Sequence, residues 1–335
     1  MTTAIGASTM RAIVAHTYGG ADVLVMAQIA RPEIADNEVL VKVHAAGLDR
    51  GTWHMMTGLP YLGRLAFGLR KPKNPVPGID LAGMVVAVGA AVTRFDVGDE
   101  VFGLGRGSFA QYVAAREDKL ASKPANLTFE QAAAVPVSGM TALRGLRDAG
   151  RVEAGQRVLI IGASGGVGTY AVQLAKAFRA HVTGVCSTAK ADLVRSLGAD
   201  EVIDYTADDF ADSSERYDLI IDVGGNAALS RMRRVLAPKG TLVIVGGEGG
   251  GKFGGGINRQ FRAVVLSLFV RQRLTMLVPK EHYTFLEQLT EQIEAGAVTP
   301  SIERTYPLDQ TADAMRQLEA GHVRGKLVIT VPAAE

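Results

Sequence analysis

The chain has one cysteine, one tryptophan, and no apolar run long enough to span a bilayer. With Cys186 alone, an intramolecular disulfide is impossible, and a zinc knot of several cysteines is excluded by count. A lone thiol fits a reducing compartment, so the cytoplasm is the expected location. Charge of one sign is missing too: 36 Lys and Arg against 34 Asp and Glu leave a formal +2 over 335 residues. That balance gives no general field for nucleic acid or an anionic membrane, so neither is an expected partner. Any anion site has to be local. Met1 to Thr9 lack the basic start and apolar run of a secretory signal, and read as a tail or an upstream start ahead of Met10. The most apolar late stretch, Ala263 to Val270, is far too short to cross a membrane.

What is present divides by texture. The length favours two domains, or one inserted in another. Met10–Ala15, Glu38–Val43 and Ala82–Gly89 are short β-prone runs separated by Gly19-Gly20, Arg31-Pro32 and Val97-Gly98-Asp99, which predicts a small β-rich unit. From about Val135 apolar strands alternate with amphipathic helices. Strands are expected at Arg157–Ile161, His181–Cys186, Glu201–Asp204, Asp218–Asp222 and Thr241–Val245, and helices at Val167–Phe178, around Leu193–Leu197 and over Ala227–Leu236. This alternation predicts an α/β fold with a doubly wound parallel sheet. Gly246 to Gly256 holds eight glycines and cannot form a packed element. Following a strand, it reads as a mobile loop at the ligand-binding end of the sheet. A helix Arg259–Arg271, a strand Leu274–Val278, a helix near Phe285–Ala295 and a closing strand Lys326–Val331 complete the expected order.

Between the strand ending at Ile161 and the helix from Val167 lies Gly162-Ala163-Ser164-Gly165-Gly166-Val167-Gly168. Glycine patterns are weak alone, but strand–turn–helix is the context that makes this one a dinucleotide turn. Gly162 permits the sharp turn, Gly165 or Gly166 admits a phosphate to the backbone, and Gly168 lets the helix pack close to the sheet. First-turn amides and the helix dipole then face the pyrophosphate, and Ser164 can add a hydroxyl. The next strand ends Val185-Cys186-Ser187-Thr188-Ala189-Lys190 with no carboxylate at its end. An acid there would accept from the ribose of NAD and repel the extra phosphate of NADP. Ser187, Lys190 and Tyr205 instead offer donors and a cation, which points to NADPH.

Val135-Pro136-Val137-Ser138-Gly139-Met140-Thr141-Ala142, the glycine turn, Val43–Asp49, Pro77–Gly83, Val97–Val101 and Gly321–Lys326 resemble the medium-chain dehydrogenase/reductase superfamily from Met10 to Val331, within its zinc-free quinone oxidoreductase-like branch. The resemblance implies a Rossmann cofactor domain inserted in a β-rich GroES-like catalytic domain, with divisions at 1–134, 135–278 and 279–335 and the active site between them. It implies that Thr141, Lys190, Tyr205 and the Gly224-Gly225-Asn226 turn lie along the cofactor. Val245-Gly246-Gly247 and Leu268-Phe269 would border the nicotinamide, and Arg324 or Lys326 would approach from the catalytic domain. Zinc-dependent relatives place Cys and His where this chain has Asp49 and Ile79, so no metal is expected. Zinc-free reductases more often carry Asn-Pro where this chain has Asp49-Arg50.

Without zinc to stabilise an alkoxide, hydride transfer requires an acceptor that is already electrophilic, such as a quinone or an α,β-unsaturated carbonyl. Tyr61 and, less so, His54 are candidate donors to the developing oxyanion, and Asp49 could orient a ribose hydroxyl or a water. Trp53, Met55, Met56 and Phe67 suggest an apolar wall for a small apolar substrate. The same residues would serve an enoyl reductase of a biosynthetic pathway, or an NADPH-holding sensor or scaffold with little turnover. The apolar strand Leu274–Val278 could pair across a two-fold axis, which makes a homodimer the expected assembly.

Overall fold

The computed structural model describes residues 9–247, 251–278 and 280–332. The expected tail therefore lies outside the described residues except for Thr9. Strands β1 (Thr9–Val14) and β2 (Val25–Ala30) pair as a separate antiparallel ribbon. Strand β3 (Glu38–Leu48) is the spine of the seven-stranded sheet. Along it Val39, Val41, Val43 and Ala45 are buried while Leu40, Lys42 and His44 are half-buried, the period-two alternation of a strand with one face on a core. Helices α1 (Arg50–Thr57) and α2 (Arg64–Phe67) follow, then β4 (Asp80–Val88), β5 (Glu100–Leu104), β6 (Tyr112–Arg116) and β7 (Leu120–Ser122).

Helices α3 (Phe129–Ala133) and α4 (Pro136–Arg144) lead into the second sheet. Its elements are β8 (Arg157–Ile161), α5 (Gly166–Ala177), β9 (His181–Cys186), α6 (Ala191–Ser196), β10 (Glu201–Asp204), β11 (Tyr217–Asp222), α7 (Leu229–Val235), β12 (Leu236–Ile244), α8 (Ile257–Ser267) and β13 (Arg273–Met276). The order is β10-β9-β8-β11-β12-β13, all parallel, so the doubly wound sheet stands as expected. Helix α9 (Tyr283–Glu294) packs on α4, where a Cβ at Gly139 would meet Leu289 at 3.0 Å. Strand β14 (Ile302–Pro307), helix α10 (Thr311–Glu319) and β15 (Lys326–Thr330) then return to the first sheet, with β15 antiparallel to β3.

Two differences from the sequence reading have clear causes. Strand β3 runs on to Leu48 because β15, about 280 residues later, hydrogen-bonds its second half; nothing local marks that extension. Helix α8 stops at Ser267, short of Arg271, because the chain must turn to enter β13, and Ser267 Oγ accepts from Leu274 N at 2.9 Å.

One apolar core joins residues of both sheets, Ala45, Ala82 and Phe102 with Val158 and Ile160, so the two layers pack as neighbours. Tyr170 of α5 is fully buried in it and donates its hydroxyl to Ala134 O at 3.0 Å. Tyr170→Phe strands that carbonyl in apolar surroundings, and should lower stability by about 1–3 kcal/mol in urea denaturation without changing the slope of the transition.

Candidate active site

The sheet order reverses between β8 and β11, the switch point at which open α/β sheets bind ligands. Gly162, at φ +86, turns the chain out of β8, and its amide donates to Val185 O at 3.1 Å. A side chain at Gly162 would meet Gly224 N at 3.0 Å, and one at Gly168 would sit well inside contact distance of the Gly162 carbonyl. Gly246, leaving β12, is pressed as closely against the carbonyl of Val223. Three strand ends thus touch through bare backbone. Helix α5 starts at Gly166 with no side chain capping it, and Thr169 N to Gly165 O is its first turn's bond. The amides of Gly166, Val167 and Gly168 are left facing outward, a fit for the pyrophosphate of a dinucleotide. Ser164 is buried, and its carbonyl accepts from Gly325 N at 2.8 Å.

The second turn, Gly224-Gly225-Asn226, is fixed by Asp222. That carboxylate is fully buried, accepts from Gly225 N at 3.0 Å, and pairs with Arg259 of α8. Arg259 Nη1 also donates to Ala227 O at 3.1 Å, which ties the helix after the glycine-rich loop to the turn. Burial pushes the Arg259 pKa down. Sequence reading missed both residues, since an acid ending an apolar strand and an Arg on a helix carry no mark of their pairing. Asn226 is exposed and heads a groove of about 950 Å³ between α7 and α8, lined by Arg259, Phe261 and Phe269. This groove lies beside the cleft between the sheets.

At the end of β9, Ser187 is half-buried and Lys190 donates Nζ to Val323 O at 3.0 Å. Burial pushes the Lys190 pKa down, and Glu303 opposes that shift. Lys190 also feels the charge of Arg324, which is exposed. Tyr205 is 62% exposed, with its amide bonded to Cys186 O at 3.0 Å. An acid does stand close by. Asp204 pairs in register with Cys186, and Thr188 and Thr206 donate their hydroxyls to it, a commitment that holds its pKa below the usual carboxylate range.

Thr141 is half-buried on α4, its hydroxyl bonded to Val137 O at 2.6 Å. Val245 and Gly246 donate their amides to Asp222 O, and Gly247 accepts from Gly256 N, all at the carboxyl end of β12. Leu268 and Phe269 do not belong with them. They precede β13 and so lie at the amino end of this parallel sheet, 80% and 79% exposed, and cannot border a nicotinamide at the carboxyl edge. The equivalent place falls to Leu277, whose amide donates to Ile244 O at 3.0 Å. Lys326 is likewise not free to reach out. It is 2% exposed and bonded to Asp80.

Of the catalytic candidates, Asp49 caps α1, accepting from Thr52 N at 2.9 Å and Thr52 Oγ1 at 3.3 Å. Its carboxylate and the Ile79 side chain flank Gly51. Tyr61 is exposed, with Arg64 stacked 4.7 Å from its ring. His54 Nδ1 is 2.7 Å from Leu59 O. Tyr61 N and Leu62 N donate to Lys252 O and Phe253 O at 2.8 and 3.1 Å, so the glycine-rich loop straps the two lobes together.

Known proteins match along this whole arrangement. The alcohol dehydrogenase GroES-like domain family covers residues 35–125, and the zinc-binding dehydrogenase family covers residues 197–329. A mouse mitochondrial NAD(P)H oxidoreductase, RTN4IP1, is 33% identical over 98% of this chain and 91% of its own. The chain belongs to the medium-chain dehydrogenase/reductase superfamily. Within that superfamily, tomato 2-methylene-furan-3-one reductase is 35% identical over 96% of the chain and 79% of its own length. The structure of a Coxiella burnetii quinone oxidoreductase superposes with a TM-score of 0.86 at 29% identity, covering 97% of this chain and all of that one. The protein is thus an oxidoreductase of the superfamily's quinone oxidoreductase-like branch, with a nicotinamide cofactor.

Gly168→Ala tests the turn. The added methyl has only rigid backbone to displace, so α5 must back away, and dinucleotide affinity by fluorescence titration should fall at least tenfold or so. Unchanged affinity would remove the turn from the site.

Proposed function

We propose that this dehydrogenase/reductase uses NADPH to reduce a quinone or an α,β-unsaturated carbonyl, without a metal ion. The observation carrying the proposal is the uncapped amide face of α5 between the bare backbones of Gly162, Gly224 and Gly246, with Lys190 and Arg324 at its adenosine end. When bound, the dihydronicotinamide supplies the hydride. The chain's own residues supply the rest. Amides of Gly166 to Gly168 hold the pyrophosphate, with Ser164 beside them. Lys190, Ser187, Tyr205 and Arg324 hold the ribose phosphate against the nearby Asp204, which its two threonine donors keep ionised. Thr141, Asn226 and the Val245-Gly246-Gly247 backbone line the nicotinamide half.

An aliphatic Ile79 beside a carboxylate already committed to a helix cap is a poor ligand set for zinc. An acceptor that delocalises the added charge onto its own oxygen needs only a proton, for which Tyr61 is the candidate, while Asp49 keeps α1 and the apolar wall around Trp53 in place. We read residues 135–278 as a cofactor domain inserted between 1–134 and 279–335, the return segment lending α9 to the cofactor side. The outer edge of β13, which no strand pairs among the described residues, suits a homodimer, and the single buried thiol suits the cytoplasm.

Purified protein should oxidise NADPH with a quinone and enone panel and be indifferent to chelators. Lys190→Ala should raise KM for NADPH about tenfold and leave NADH unchanged. A native preference for NADH, or activity lost on chelation, overturns the reading. Light scattering should return the mass of two chains, and a monomer would remove the β13 pairing.

A further inference from the structure

Where the two sheets meet, a buried charge pair lies directly under the glycine turn. Lys326 opens β15 at 2% exposure and Asp80 opens β4 at 0%. Lys326 Nζ donates to Asp80 Oδ2 at 3.3 Å and to Ser138 Oγ at 3.2 Å. Asp80 Oδ1 accepts from Val137 N of α4 at 3.0 Å. The lysine stem lies against Gly166, the first residue of α5: a Cβ built there would meet Lys326 Cδ and Ser138 Oγ, each at 3.1 Å. One residue earlier, Gly325 bridges to Gly165, so both residues before and under the turn come from β15 and its approach. Buried ion pairs rarely stabilise a fold more than apolar residues of the same volume, so this one calls for a role beyond packing.

We infer that Lys326, held by Asp80 and Ser138, is a positioning residue that lends positive charge to the cofactor pyrophosphate from beneath the glycine turn, and that Asp80 sets how much of that charge the cofactor feels. This rests on the reading of the turn as the pyrophosphate site. Burial pushes the Asp80 carboxyl up to about 7; Lys326 pulls it down, Asp49 raises it, and the Val137 amide lowers it. The groups facing the pair are Asp49 from the end of β3, Val137 N and Ser138 from α4, and Tyr170 from α5. Burial first, and Asp80 second, hold the Tyr170 hydroxyl well above its usual range, so it stays neutral.

The sign follows. Below about pH 7 Asp80 is protonated and the ammonium of Lys326 acts unopposed. Above it the carboxylate cancels that charge. A bound pyrophosphate, being anionic, raises the Asp80 pKa further, so binding takes up a proton. NADPH affinity should therefore weaken as pH rises through about 7.

Fluorescence titration at pH 6 and 8.5 tests this with wild type, Lys326→Met, and the double variant Asp80→Asn/Lys326→Met. Wild type should weaken severalfold across that range. Both variants should bind about tenfold more weakly than wild type at pH 6, and the double variant, which lacks the titrating carboxyl, should lose the weakening with pH. The fragment 2′-AMP, which has the ribose phosphate but no pyrophosphate, should bind all three alike. If the neutral double variant binds NADPH as tightly as wild type at pH 6, or if 2′-AMP affinity falls in parallel, the pair is only structural and the inference fails. Calorimetry on wild type alone, in two buffers of different ionisation enthalpy, should show proton uptake near pH 7, and no uptake overturns the inference without any variant. Wild type binding neither NADPH nor NADH would instead retire the glycine-turn reading. Normal wild-type binding with unaltered variants would retire only the role of Lys326.

Discussion

Gly168 stands so close to the carbonyl of Gly162 that no side chain fits between them, and the carboxyl end of the parallel sheet is built on that approach. It draws the first turn of α5 down onto β8 and turns three amides toward one point in space. Gly246 on Val223 repeats the device one strand further along. Glycine in such places carries an entropic cost on folding, which the apolar burial of β8, β11 and β12 offsets. The proposed anion site is thus a property of backbone spacing, with side chains only refining it.

The parallel sheet, the turn and the helix behind it were legible because their signals are local: apolar runs of strand length, glycine at a strand end, and helical periodicity immediately after. The interactions that hold the site in place were not. Asp80 and Lys326 lie 246 positions apart, and Asp222 and Arg259 lie 37 apart. In each case an ordinary polar residue gains its meaning only when the topology delivers its partner. Leu268 and Phe269 show the converse error. The family resemblance places them beside the nicotinamide, but strand direction puts them at the opposite edge. Asp204 belongs to the same lesson. Inspecting the end of β9 alone hides an acid that the neighbouring strand brings into register with it.

A net charge near zero also conceals how the charges are spent. The chain's balance of 36 to 34 excludes a general field, yet a single ammonium is sequestered under the turn and a guanidinium is locked to the second turn. Around the cofactor site, local placement of a few buried charges in a low-dielectric setting outweighs the global sum.

The strap between the lobes is made by the amides of Tyr61 and Leu62 and the carbonyls of Lys252 and Phe253. Main-chain groups do not change when residues are substituted. Tyr61, Leu62 and Phe253 are all exposed around those two rungs. Around Tyr61, the candidate proton donor, the side chains of Leu62 and Phe253 can therefore be re-dressed by mutation while the fastening beneath keeps its geometry. Such a joint leaves specificity free to drift between descendants of one scaffold.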